Sequence, residues 1–178
     1  MAIKVLVVGG QRSGKSRHAE RLVAESGLTP VYLAIATAGD GEMAERIDTH
    51  RNRRGNGWRT IEEPLDIAAV IAREAKAGSV VLVECLTLWL SNLMGAGRDI
   101  DIASDGLIAA LEQAAGPVVL VSNEVGAGIM PDNALARRYA DALGVLNQRV
   151  AATATQVVLV AAGQPLTLKP TQRPDFKL

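Results

Sequence analysis

The sequence predicts an α/β protein, a mainly parallel sheet with helices on both faces. Two observations carry this. Short aliphatic runs recur along the chain, as expected of strands buried on both faces, and amphipathic stretches with helical spacing separate them. The first run, Ile3–Gly9, leads through a glycine-rich turn into a helix expected over Lys15–Glu25, with Ala19, Leu22 and Val23 on one side. Val31–Ala36 is the second expected strand and Glu42–Arg54 the second helix. Leu65, Ala68, Ala69, Ile71 and Ala72 then mark a helix over Leu65–Ala75. Ser79–Val83, Val118–Ser122 and Gln156–Ala161 complete the buried strands. The clearest amphipathic helix is Asn133–Ala154, where Leu135, Tyr139, Leu143, Leu146 and Val150 recur at steps of three or four. Gly95–Asp105, with its glycines and acidic residues, reads as a surface loop leading into a helix over Leu107–Ala114.

The 178 residues fit one domain, and 48% hydrophobic residues suffice for a core. Residues 1–169 are expected to form a single nucleotide-binding catalytic domain, followed by a C-terminal tail, 170–178. Lys+Arg and Asp+Glu are both 19, so there is no basic excess to hold nucleic acid, and 3% aromatic residues offer few stacking platforms. A single cysteine, Cys85, excludes an internal disulfide and a cysteine-based zinc cluster. The opening apolar run is too short for a membrane span and lacks a secretory cleavage pattern, so a cytoplasmic protein is expected.

The turn after the first strand is Gly9, Gly10, Gln11, Arg12, Ser13, Gly14, Lys15 and Ser16, a match to G-x-x-x-x-G-K-[ST]. Its glycines let backbone N–H groups turn inward around phosphate oxygens, and the following helix aims its positive end at them. Lys15 supplies a mobile cation for the β- and γ-phosphates, and the Ser16 hydroxyl is suited to Mg²⁺. The alternative is a glycine-rich turn with an exposed lysine, but the position between a buried strand and an amphipathic helix favours the phosphate loop. A second acidic group belongs at the carboxyl end of a neighbouring strand. Glu84 and Glu124 both qualify, to order a metal or accept a proton, and either is otherwise a solvated strand-end carboxylate.

On the helix Glu42–Arg54, Arg46, His50 and Arg54 fall at i, i+4 and i+8, along one face, with Arg51 and Arg53 beside it. Neighbouring cations favour a neutral imidazole, the form a nucleophile needs, and the guanidiniums suit a triphosphate. Spacing alone favours the plainer reading, a basic solvated helix end. His18 reads as a surface or packing residue.

Ordered blocks extend beyond the loop: Gly9-Gly10-Gln11-Arg12-Ser13-Gly14-Lys15-Ser16-Arg17-His18-Ala19-Glu20, Arg46-Ile47-x-x-His50-Arg51, Trp58-x-Thr60-x-Glu62-Glu63-Pro64, Glu84-Cys85-Leu86-Thr87-Leu88-Trp89-Leu90-x-Asn92-Leu93, Ser122-Asn123-Glu124-Val125-Gly126-x-Gly128-Ile129-x-Pro131 and Leu146-Asn147-Gln148. Together they resemble the bifunctional adenosylcobinamide kinase / adenosylcobinamide-phosphate guanylyltransferase family of cobalamin synthesis, over nearly the whole chain. The resemblance implies a P-loop NTPase fold, RecA-like, and two reactions. A nucleoside triphosphate, ATP or GTP, phosphorylates adenosylcobinamide; GTP then donates GMP to that phosphate through a GMP-histidine, with His50 the matching residue. It also implies nucleotide contacts at Gly9–Ser16, at Ala34, Ile35 and Ala36, at Arg51, Asn52, Arg53 and Arg54, and at Glu62 and Glu84. Mg²⁺, held by Ser16 and Glu84, is the cofactor expected at the loop, and a homotrimer is a further expectation of the resemblance. The competing readings are a single-function small-molecule kinase, which needs no histidine nucleophile, and a nucleotide-dependent switch, for which there is no Asn-Lys-x-Asp guanine signature. The corrinoid needs an apolar surface. Leu86–Leu93 and Val125–Met130 are equally eligible on sequence.

Overall fold

The computed structural model describes residues 2–36 and 57–170. In chain order these form β1 (Lys4–Gly9), α1 (Lys15–Glu25), β2 (Thr29–Ala34), β3 (Arg59–Glu62), α2 (Ile67–Glu74), β4 (Ser79–Glu84), α3 (Leu86–Gly95), α4 (Ile100–Gln113), β5 (Val118–Asn123), α5 (Ala134–Thr153), β6 (Gln156–Ala161) and β7 (Gln164–Lys169). The strands make one sheet in the order β3-β2-β4-β5-β1-β6-β7. Every neighbouring pair is parallel except β6 and β7. The expected α/β class is therefore what forms, with an antiparallel strand added at one edge.

Strand alternation divides the core in two. Val5, Val7, Leu82, Val121 and Val160 face one way and pack against Ala19 and Val23 of α1. Leu6, Leu33, Val83 and Leu120 face the other way, against Ile71 of α2, Leu90 of α3, Leu111 of α4 and Leu146 of α5. Both faces of the central strands are thus covered, which is why their sequences read as continuous aliphatic runs. Burying one such leucine or valine side chain contributes about 1.5–3 kcal/mol. No helix among the described residues is long and apolar enough to cross a membrane.

Within the described residues the expected strands and helices recur, most with end shifts of one or two residues, and Lys15–Glu25 and Gln156–Ala161 recur unchanged. Gly95–Asp105 requires correction. Gly95 closes α3, and α4 begins at Ile100, because the Asp99 side chain accepts from the N–H groups of Asp101 (2.9 Å) and Ile102 (3.0 Å) and so caps a helix earlier than Leu107. Gly106 lies within that helix, where an added Cβ would make an ordinary contact with the Ala68 Cβ of α2 at 4.0 Å. Three elements escaped the sequence reading: β3, α3 and β7. Strand β7 carries Pro165 and is exposed along most of its length, so it shows no buried run. Its partner is reached through a two-residue turn, Ala162 and Gly163, with φ of 50° and 77°, the positive pair that tight hairpins require. The expected helix Glu42–Arg54 and residues 171–178 lie outside the described residues.

Candidate functional site: a phosphate loop at the carboxyl end of the sheet

Backbone geometry explains two of the three glycines of the loop, Gly9 and Gly14. A Cβ on Gly9 would stand 2.4 Å from the Val160 carbonyl oxygen and 2.6 Å from the Ser13 Oγ. Gly14 has a φ of 98°, and a Cβ there would meet the Gly163 Cα at 3.2 Å. The Gly163 N–H donates to the Ser13 carbonyl at 2.8 Å, so the β6–β7 turn braces the loop from outside. Gly14 precedes α1 without a side-chain cap, and no acidic residue occupies the first turn. The N–H groups of that turn are therefore suited to an anion. We predict that Gly9→Ala lowers stability by about 1–3 kcal/mol, the usual cost of overpacking, and weakens nucleotide binding with it. Thermal unfolding and GTP titration check this; wild-type values in both would contradict the packing account.

Two side chains of the loop are held in place. Lys15 is largely buried and its Nζ donates to the Gly10 carbonyl at 3.1 Å. Burial pulls its pKa below the ordinary lysine value, against the opposing influence of Cys85 and Glu84. Ser16 Oγ donates to Glu84 Oε1 at 2.5 Å. Of the two carboxylates singled out from the sequence, Glu84 therefore touches the loop's own hydroxyl. Glu124 instead turns its Oε1 to the Gly126 N–H at 2.8 Å, while its own N–H donates to the Gly9 carbonyl at 3.1 Å.

Sheet register gathers the remaining expected contacts. Ala34 pairs with Glu62 on one side and Glu84 on the other, so these three lie in a row across the ends of β3, β2 and β4. Ile35 is fully buried in the core and spaces Ala34 from Ala36. Strand β5 intervenes between β1 and β4, and its last residue, Asn123, pairs with Gly9. The sequence reading assigned Asn123 no role. By alternation it follows Val119 and Val121, which face α1, and its Oδ1 is buried without a hydrogen-bond donor among the described residues. A polar residue closing an aliphatic strand beside the loop was the available signal.

The floor of the site is rigidly tied. The Asn123 N–H donates to Thr87 Oγ1 (3.0 Å), Asn147 Nδ2 to the Asn123 carbonyl (3.0 Å) and the Tyr139 hydroxyl to the Thr87 carbonyl (2.8 Å). Burial, with a contribution from Cys85, pushes the Tyr139 hydroxyl up to about 12, so it remains a donor. Burial also raises the Cys85 thiol, which keeps it protonated and a poor nucleophile. His50, Arg46, Arg51, Asn52, Arg53 and Arg54 lie outside the described residues.

Residues 5–168 match the family described as cobinamide kinase / cobinamide phosphate guanyltransferase. The chain belongs to this family. Its relatives in Pseudomonas aeruginosa and Escherichia coli K12 agree. The first, "Bifunctional adenosylcobalamin biosynthesis protein CobP", is 50% identical over 166 residues, covering 92% of this chain and 96% of that protein. The second, the correspondingly named CobU, is 40% identical over 180 residues, covering 93% and 99%. A CobU of Salmonella typhimurium is 39% identical over the same length. The loop, the row of strand-end residues and the parallel sheet are thus the P-loop NTPase fold of a cobinamide kinase and guanyltransferase family.

Proposed function

We propose that this chain is a bifunctional adenosylcobinamide kinase and adenosylcobinamide-phosphate guanylyltransferase of cobalamin biosynthesis. The observation that carries the reading is the convergence of Lys15, Ser16 and Glu84 at one phosphate loop, in a chain matched to that family over residues 5–168. Both reactions begin with a nucleoside triphosphate whose phosphates need the same cradle.

In the first step the acceptor hydroxyl of adenosylcobinamide attacks the γ-phosphorus of ATP or GTP in line. The bond to the β-phosphate oxygen breaks, the nucleoside diphosphate departs, and the hydroxyl proton passes to a carboxylate or water. Glu84 is the better-placed carboxylate, since Glu124 is turned to Gly126. Lys15 leaves the Gly10 carbonyl to neutralise the phosphates. In the second step a His50 ring nitrogen attacks the α-phosphorus of GTP and pyrophosphate leaves. A phosphate oxygen of adenosylcobinamide phosphate then displaces the histidine, giving adenosyl-GDP-cobinamide. The arginines at 51, 53 and 54, with Asn52, hold the triphosphate during this step.

The oxygen donors present suit Mg²⁺. Ser16 Oγ and Glu84 Oε1 lie within hydrogen-bond distance of each other, two oxygen ligands to which Mg²⁺ would add substrate phosphates and water. When bound there, it would neutralise charge building on those phosphates. The reading takes the enzyme to be a cytoplasmic homotrimer with its catalytic domain within residues 1–169, supported by the family resemblance. Incubation with GTP labelled at the α-phosphate tests the whole. Acid-labile label retained on the protein, and passed to product on adding adenosylcobinamide phosphate, is expected; a single-function kinase would retain none.

A further inference from the structure

The corrinoid needs an apolar wall beside the phosphate loop, and the two eligible stretches now separate. Leu86, Trp89, Leu90 and Leu93 are all at most 1% exposed, spent in the core beneath the sheet. In the segment after β5 the reverse holds: Val125 is 41% exposed, Ile129 98% and Met130 67%, with Leu135 on the first turn of α5 at 65%. These four stand within one short stretch of chain, and Val125–Met130 carries no ionisable group. Exposed Val125, Ile129 and Met130 on a segment with no charge of its own suit an interaction surface.

The patch is anchored at both ends. It starts at Glu124, whose N–H is bonded to Gly9, and its first turn is closed by the Glu124 carboxylate on the Gly126 N–H. At the far end Arg137 Nη1 donates to the carbonyls of Pro131 (2.8 Å) and Asp132 (2.7 Å), and the Asn133 side chain caps α5 on the Ala136 N–H. The apolar side chains are thus presented from a braced loop that leaves the sheet next to the first glycine of the phosphate cradle. The cavity of about 630 Å³ between α4 and α5 is a mixed surface: Ile100, Val145 and Leu146 line it together with Arg98, Asp101, Arg138, Asp141 and Arg149, charges of both signs.

We propose that Val125, Ile129 and Met130 form the docking surface for the corrinoid ring of adenosylcobinamide, holding the substrate so that its hydroxyl reaches the nucleotide. The inference rests on the functional reading above. Its test is the Ile129→Ser, Met130→Ser double variant beside a conservative Ile129→Leu, Met130→Leu control, with kinase kinetics, GTP affinity and solution mass measured on each. The serine variant should raise KM for adenosylcobinamide about ten-fold or more, since apolar contacts of this size discriminate on that scale. GTP affinity and α-phosphate labelling should stay at wild-type levels, and the leucine control should restore KM. An unchanged KM, or a fall in solution mass that reveals a subunit contact instead, overturns the inference while leaving the two activities standing. A wild-type protein that binds GTP yet never phosphorylates adenosylcobinamide overturns the functional reading and the docking surface together.

Discussion

Lys15→Ala is expected to damage both activities in a protein that still folds. The two reactions cleave different bonds of the nucleotide, yet both develop negative charge on phosphates that the loop must hold. Removing one preorganised charged donor at such a position costs on the order of 10²–10³-fold in rate. The Lys15 ammonium lies in a largely buried position with its Nζ on the Gly10 carbonyl, so no solvent cation readily replaces it. Steady-state assays of phosphoryl and guanylyl transfer, run beside thermal unfolding, check this. Full kinase activity in the folded variant would contradict the assignment of Lys15. Selective loss of only one activity would contradict a shared cradle.

His50→Ala is expected to divide the two reactions. Without the imidazole the protein–GMP bond cannot form, and guanylyl transfer should fall by on the order of 10⁴-fold or more, the scale on which loss of a nucleophile is felt. The kinase step transfers phosphate directly to the substrate hydroxyl and needs no such bond, so a substantial part of its turnover should persist. Assaying each half-reaction separately, with purified adenosylcobinamide phosphate supplied for the second, gives the comparison. Equal loss of both in a folded variant would count against separate roles.

The central architecture was legible because each buried strand carries its own signal. Val80–Val83 and Val118–Val121 are covered on both faces, so no polar residue interrupts them. The phosphate loop was legible for a different reason: its glycines answer to backbone constraints, as the approach of Val160 to Gly9 shows. What was hidden depends on tertiary context. Helix α3 is apolar nearly all round, so it lacks the amphipathic stripe that announces a surface helix. The start of α4 hung on one capping aspartate, Asp99. The pairing of Asn123 with Gly9, and the contact of Ser16 with Glu84, arise only when β5 slots between β1 and β4. Likewise, Leu86–Leu93 and Val125–Met130 look alike in hydrophobicity until packing buries one and exposes the other.

Intact-mass spectrometry of the protein after exposure to GTP, with the adduct located by fragmentation, addresses the central claim most directly. The account predicts a species heavier by one guanylyl group, attached at His50, that disappears when adenosylcobinamide phosphate is added. A preparation competent in guanylyl transfer that never shows this adduct, or carries it elsewhere, would contradict it.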